Sequence, residues 1–130
     1  MNKELETMDS IGFDGMKLIQ GNGFRYGVDA VLLAAFTVGE TGGRGMKRRR
    51  APRILELGCG NGIVSLILSH KIPESTMLGL EIQIKEAERA RRNARLNHLE
   101  ERIQIRAIDV ASIGETALPE KFNAVVTNPP

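Results

Sequence analysis

RILELGCGNGIVSLILSH, residues 53–70, divides into three parts of different chemistry. RILEL, 53–57, is a short apolar run that fits a strand. GCGNG, 58–62, is a glycine turn, and IVSLILSH, 63–70, is an apolar helix that stops before Pro73. The same alternation continues downstream. MLGLEI, 77–82, predicts a second strand, and KEAERARRNARLN, 85–97, predicts a helix with Ala87, Ala90 and Ala94 on one face and Arg91, Arg92 and Arg95 largely elsewhere. RIQIRAID, 102–109, alternates Ile103, Ile105 and Ala107 as a strand does, and FNAVVT, 122–127, is a fourth apolar run. VASIGETALPEK, 110–121, fits either a short helix or a loop. Strands alternating with helices predict an α/β fold, a parallel sheet with helices on both faces.

Upstream, IGFDGMKLIQGNGFRY, 11–26, mixes short apolar runs with Asp-Gly and Gly-Asn-Gly, and so predicts a small β-hairpin. VDAVLLAAF, 28–36, is apolar and rich in Ala and Leu, which favours a buried helix, ended by the glycines and arginines of 39–50. At 130 residues the chain is expected to be one domain: an N-terminal hairpin, helix and basic loop over 1–52, then a βαβ core over 53–130. With 42% hydrophobic and 26% charged residues the composition is that of a globular protein, not a disordered one. No apolar run nears the roughly 20 residues that cross a bilayer, and the N-terminus lacks a signal-peptide core, so a cytoplasmic location is expected. The single cysteine, Cys59, has no partner for a disulfide and no neighbouring Cys or His for a metal site. The net charge of +2 permits a nucleic-acid partner without requiring one. RGMKRRRAPR, 44–53, concentrates Arg44, Lys47, Arg48, Arg49, Arg50 and Arg53; it reads as a solvated loop, with phosphate contact as the sharper alternative.

Chemistry-bearing residues collect at the predicted strand ends. Gly58, Gly60 and Gly62 lie in E-x-G-x-G-x-G, 56–62, and lack the Cβ that would keep a ligand from the backbone. A nicotinamide-binding turn would instead read G-x-G-x-x-G. Cys59 fits the turn as a small residue better than as a nucleophile. Glu81 closes the second strand nineteen positions after Gly62, where a carboxylate can accept from both hydroxyls of a ribose. Asp109 closes the third, where it could accept from an adenine amino group flanked by Ile82 and Val110. Asn128 closes the fourth, in VVTNPP. In an open α/β sheet ligands bind along the carboxyl edge of the strands, so one nucleoside-containing cofactor could touch all four ends.

These residues resemble the class I S-adenosylmethionine-dependent methyltransferases. ELGCGNG looks like their first motif, which places Glu56 and Cys59 beside the glycines in the cofactor site; Glu81 looks like their ribose-binding acid, and Asp109 like their adenine-binding acid. TNPP looks like the start of the Asn-Pro-Pro-aromatic motif of amino-group methyltransferases. QGNGFRYGVDAVLLAAF, 20–36, resembles the segment before the first strand in bacterial valine-tRNA adenine N6-methyltransferases, which points to Arg25, Tyr26 and Asp29 at the methionine end of the cofactor; a hairpin or helix-cap role fits each equally well. The resemblance implies a Rossmann-like sheet of seven strands ordered 3-2-1-4-5-7-6, of which four, in order 3-2-1-4, are expected here. It implies S-adenosylmethionine as cofactor, no metal, tRNA as the partner of the intact enzyme, and Asn128, Pro129 and Pro130 as the catalytic residues. Asn128 and Pro129 would offer carbonyl acceptors to the two hydrogens of an exocyclic amine, held still by the proline rings. The motif's aromatic position would follow Pro130, so the chain is expected to be the cofactor-binding half of a longer enzyme and inactive alone. A glutamine amide as acceptor, or a module that binds cofactor or RNA without catalysis, are the alternatives.

Overall fold

The computed structural model describes residues 5–22, 27–42, 51–114, 118 and 121–129. Arg25, Tyr26, Pro130 and the basic run from Arg44 to Arg50 lie outside the described residues. The elements are strands β1 (Glu6–Ser10) and β2 (Lys17–Gly21), helix α1 (Val28–Gly42), strand β3 (Arg53–Leu57), helix α2 (Ile63–Lys71), strand β4 (Thr76–Leu80), helix α3 (Ile84–Leu96), strand β5 (Ile103–Arg106), a 3₁₀ turn (Val110–Ser112) and strand β6 (Ala124–Thr127).

β3 to β6 form a parallel sheet ordered β5-β4-β3-β6, the 3-2-1-4 order expected for the first four strands. Side chains alternate between its faces. Ile54, Met77 and Ile103 point to the side covered by α2 and α3, where Leu66, Leu68, Ala87, Ala90 and Ala94 complete the larger core. Leu55, Leu78 and Leu80 point to the other side, against Ile108, Ile113, Leu118 and Phe122, none of which lies in an α-helix; among the described residues α1, α2 and α3 all join the first cluster, so the helices expected on both faces are found on one. At the amino edge, Arg102 donates to the carbonyls of Ser69, Ile72 and Ser75, which satisfies the end of α2 and the loop beyond it.

Several boundaries differ from the sequence reading, each for a physical reason. The hairpin runs over 6–21 with Asp14-Gly15 in its connection, earlier than the expected 11–26. Its first strand, ETMDS, has no apolar alternation; two ion pairs hold it instead, Glu6 meeting Arg89 at 3.2 Å and Arg92 at 2.9 Å. α1 extends to Gly42 and is not buried all round. Ala30, Ala34 and Thr37 face the core, while Val28, Leu32 and Phe36 are 62–74% exposed. A continuously apolar run has no periodicity from which to read a face. β5 stops at Arg106, so Asp109 does not end the strand; it caps the 3₁₀ turn, its Oδ1 accepting from Ala111 N at 2.9 Å.

α3 contributes more than its alanine face. Asn93, fully buried, accepts from Ile19 N at 2.7 Å and donates to Ile19 O at 3.0 Å and Asn61 O at 2.9 Å. Asn97 repeats the pairing on Lys17, accepting from its N at 2.9 Å and donating to its O at 2.8 Å. The side of β2 turned away from β1 is thus satisfied by carboxamides, and Asn93 also fastens it to the glycine turn.

Candidate functional site

The four parallel strands end level with one another. Leu57 pairs with Leu80 and with Thr127, and Leu80 pairs with Arg106. Gly58, Glu81 and Asn128 are each the next residue along, and Asp109 follows three residues after Arg106. The register therefore brings the glycine turn, Glu81 and the Asn-Pro segment to one edge, while Asp109 lies beyond the paired residues of β5, at the cap of the 3₁₀ turn.

The turn is tied across the sheet: Gly58 N and Cys59 N both donate to Leu80 O, at 2.8 and 3.0 Å. Gly60 has φ of 54° and Gly62 of 89°, in the left-handed region that favours glycine. A Cβ on Gly60 would meet nothing within 4 Å, leaving open space above the backbone, whereas one on Gly62 would press on Ala90 at 3.4 Å. Gly60 keeps its approach clear and Gly62 serves the packing of α2 against α3. Glu81, buried, bridges the turn and its own loop: Oε2 accepts from Gly60 N at 2.8 Å and Oε1 from Gln83 N at 2.9 Å. A carboxylate offers about four lone-pair sites, so two remain for a ligand's hydroxyls. Ile82 and Val110 are apolar and 60% and 37% exposed, uncovered beside the two acids. Asp109 is exposed.

Glu56 and Cys59 lie beneath this surface. Cys59 is 4% exposed and packs where a Cβ on Gly79 would meet its Sγ at 2.8 Å. Burial pushes its thiol pKa up, with the Glu56 and Glu81 charges adding to the effect, so it is poorly suited to act as a nucleophile. Glu56 is fully buried on the α2 side, accepting from Ser65 Oγ at 2.8 Å. Burial raises its pKa to about 8, against the opposing Ser65 hydrogen bond. Folded Glu56 thus holds its proton at neutral pH, whereas in the unfolded chain it releases it near the ordinary value of 4.5. Its contribution to stability is complete below the unfolded value and is lost as pH rises through about 8. Glu56→Gln, which keeps the neutral shape, is expected to unfold near the wild-type temperature at pH 5 and increasingly above it towards pH 8. Thermal scans across that range check this; a constant gap would contradict a protonated Glu56.

At the far end of the edge, Thr127 Oγ1 donates to Leu57 O at 3.0 Å, anchoring the end of β6. Asn128 Nδ2 donates to Asp29 Oδ2 at 3.1 Å, so Asp29, in the first turn of α1, meets the Asn-Pro segment. Pro129 is exposed beyond it. A cleft of about 370 Å³ runs along β5, lined by Arg91, Arg95, Gln104 and Arg106 among others, and takes in neither the glycine turn nor Glu81 or Asn128. Among the described residues no three His, Cys, Asp or Glu side chains gather to hold a metal, and no helix is long and apolar enough to cross a membrane. The Asn93 bracket and the Asp29–Asn128 pair escaped the sequence reading, since neither has a local signal.

Residues 44–130 match the sequence pattern of the methyltransferase small domain. The chain is 30% identical over 107 residues to the tRNA1(Val) (adenine(37)-N6)-methyltransferase of Yersinia pestis (strain Pestoides F), an alignment covering 82% of this chain and 39% of the relative. The corresponding enzyme of Yersinia pseudotuberculosis (serotype O:1b, strain IP 31758) matches equally. The chain thus spans about two fifths of the length of these curated relatives. Among solved structures, a SAM-dependent methyltransferase from Agrobacterium tumefaciens superimposes with a TM-score of 0.70 at 16% identity, covering 100% of this chain and 42% of that one. Cofactor-bound Rv0187 from MTB gives 0.61 at 20% identity, covering 82% and 45%. These two likenesses concern the fold.

Proposed function

The chain belongs to the methyltransferase small domain family, and from that premise we propose that it carries the cofactor edge and the amine-binding Asn128 of an enzyme that methylates adenine N6 in tRNA. The observation that carries this reading is the level register of four strand ends, which sets Gly58, Glu81 and Asn128 side by side. S-adenosylmethionine fits the residues present. The open space over Gly58 and Gly60 admits a ligand against the turn, Glu81 keeps acceptor capacity for ribose hydroxyls, and Ile82 and Val110 offer uncovered apolar contact for an adenine ring. The cofactor supplies an electrophilic methyl group on a sulfonium. Asn128 Oδ1 and the Pro129 carbonyl are two acceptors for the two hydrogens of the target amine. By drawing those hydrogens to one side they favour a pyramidal nitrogen whose lone pair is no longer shared with the ring. Pro129 restricts Asn128 to extended backbone, so the acceptors are oriented before substrate arrives.

Calorimetry on the chain tests the cofactor half of the proposal. S-adenosylmethionine binds, NAD does not, and Glu81→Ala weakens binding on the order of 100-fold, the scale of losing two hydrogen bonds to a charged group. NAD binding without S-adenosylmethionine binding would overturn the reading. Methyl transfer by the intact enzyme onto tRNA tests the other half; methylation of a protein glutamine in place of adenine would move the acceptor assignment to that class.

A further inference from the structure

The carboxamide of Asn128 is nearly symmetric in shape and opposite in chemistry at its two ends. Only Oδ1 can accept from an amine hydrogen; turned over, the side chain would present N–H groups to N–H groups. The amine-binding role proposed above, on which this inference rests, needs something that selects one orientation. Asn128 Nδ2 donates to Asp29 Oδ2 at 3.1 Å, and Oδ1 has no partner among the described residues. An ionised carboxylate accepts and cannot donate, so it pairs with the NH₂ end and rejects the oxygen. The contact joins residues 99 apart in sequence, the first turn of α1 and the residue after β6. Gly27, just before α1, makes room for the carboxylate: a Cβ there would lie 2.7 Å from Asp29 Oδ1. A negative side chain is also favourable at a helix N-terminus, which keeps Asp29 in place without Asn128.

We propose that Asp29 is a positioning residue for the methyl-transfer reaction: it holds the Asn128 amide by its nitrogen and so leaves Oδ1 free for the substrate amine. This departs from the sequence reading of Asp29 as a cofactor contact, and the two roles separate cleanly. In the isotopically labelled 130-residue chain, Asp29→Ser is expected to move the Asn128 side-chain amide resonances towards those of a free carboxamide, with S-adenosylmethionine affinity within twofold of wild type. Unmoved resonances, or an affinity loss of tenfold or more, would overturn the proposal.

In the intact enzyme the same variant lowers kcat roughly three- to tenfold, as the side chain regains its three χ1 wells and both amide orientations, while KM for the cofactor holds. Exchanging the partners gives a further test. Asn128→Asp alone sets two carboxylates together and is strongly impaired. Asp29→Asn added to it restores one donor and one acceptor with an acceptor facing the amine, and regains at least tenfold of the loss. A double variant no better than Asn128→Asp overturns the positioning role. An intact wild-type enzyme that methylates no adenine would sink the adenine reading instead, and the resonance comparison would still decide whether Asp29 sets the amide.

Discussion

Asn128→Ala in the intact enzyme is expected to lower kcat by about 100-fold, the scale of removing one preorganised polar contact from a reacting group, with cofactor affinity within a few-fold of wild type. The reasoning is local. Asn128 follows a strand end pinned by Thr127 Oγ1 on Leu57 O, so alanine removes the acceptor without releasing the backbone. The hydrogen bonds given above for the glycine turn do not involve Asn128: Glu81 accepts from Gly60 N, and the Leu80 carbonyl from Gly58 N and Cys59 N. A loss confined to kcat is the mark of an interaction made in the transition state, whereas a rise in KM alone would mean uniform binding. Steady-state kinetics with calorimetry separate the two, and unchanged turnover would remove Asn128 from the chemistry.

The second large effect is on folding. Asn93→Leu nearly conserves volume but strands Ile19 N, Ile19 O and Asn61 O, three backbone groups whose partner is buried. At about 1 to 3 kcal/mol for each buried group left unpaired, with partial relaxation, the loss is about 3–5 kcal/mol. For a chain of this size that lowers Tm by roughly 10 °C or more. Asn97→Leu is the control. Its partners on Lys17 are exposed and can turn to water, so it costs about 1 kcal/mol. Denaturant melts of the two variants test this. A similar, small loss for both would mean that the bracket at Asn93 contributes no more than a surface contact.

The difference between what could be read in advance and what could not follows the range of the interactions. A strand, a glycine turn and a helix in immediate succession announce themselves through apolar runs, and four repeats of a strand ending in a polar residue imply a shared edge. Gly58, Glu81 and Asn128 were legible for that reason. β1 was not, because Glu6 reaches its arginines across more than 80 residues and leaves no pattern in ETMDS. Glu56 was legible as a motif position but not as a buried, protonated acid, since only the packing of α2 over β3 determines its environment. Asp29 was legible as a helix-start residue. What it touches depends on where β6 ends, and no local rule joins residue 29 to residue 128.

Asn93 on α3 and Asn97 at its C-terminal cap act as a ruler. Four residues of helix advance about 6 Å, and two residues of strand advance about 6.7 Å, so Asn93 and Asn97 are spaced almost as Ile19 and Lys17 are. One helical turn is commensurate with one full pleat. A one-residue slide therefore breaks both pairs at once, since it would present both carboxamides with the backbone groups that already face β1. The four hydrogen bonds to Lys17 and Ile19 fix this alignment, while the connection at 11–16 is held separately, by the burial of Ile11 and Met16 in the core. A helix has here taken over the task of setting strand register, which in most sheets falls to another strand.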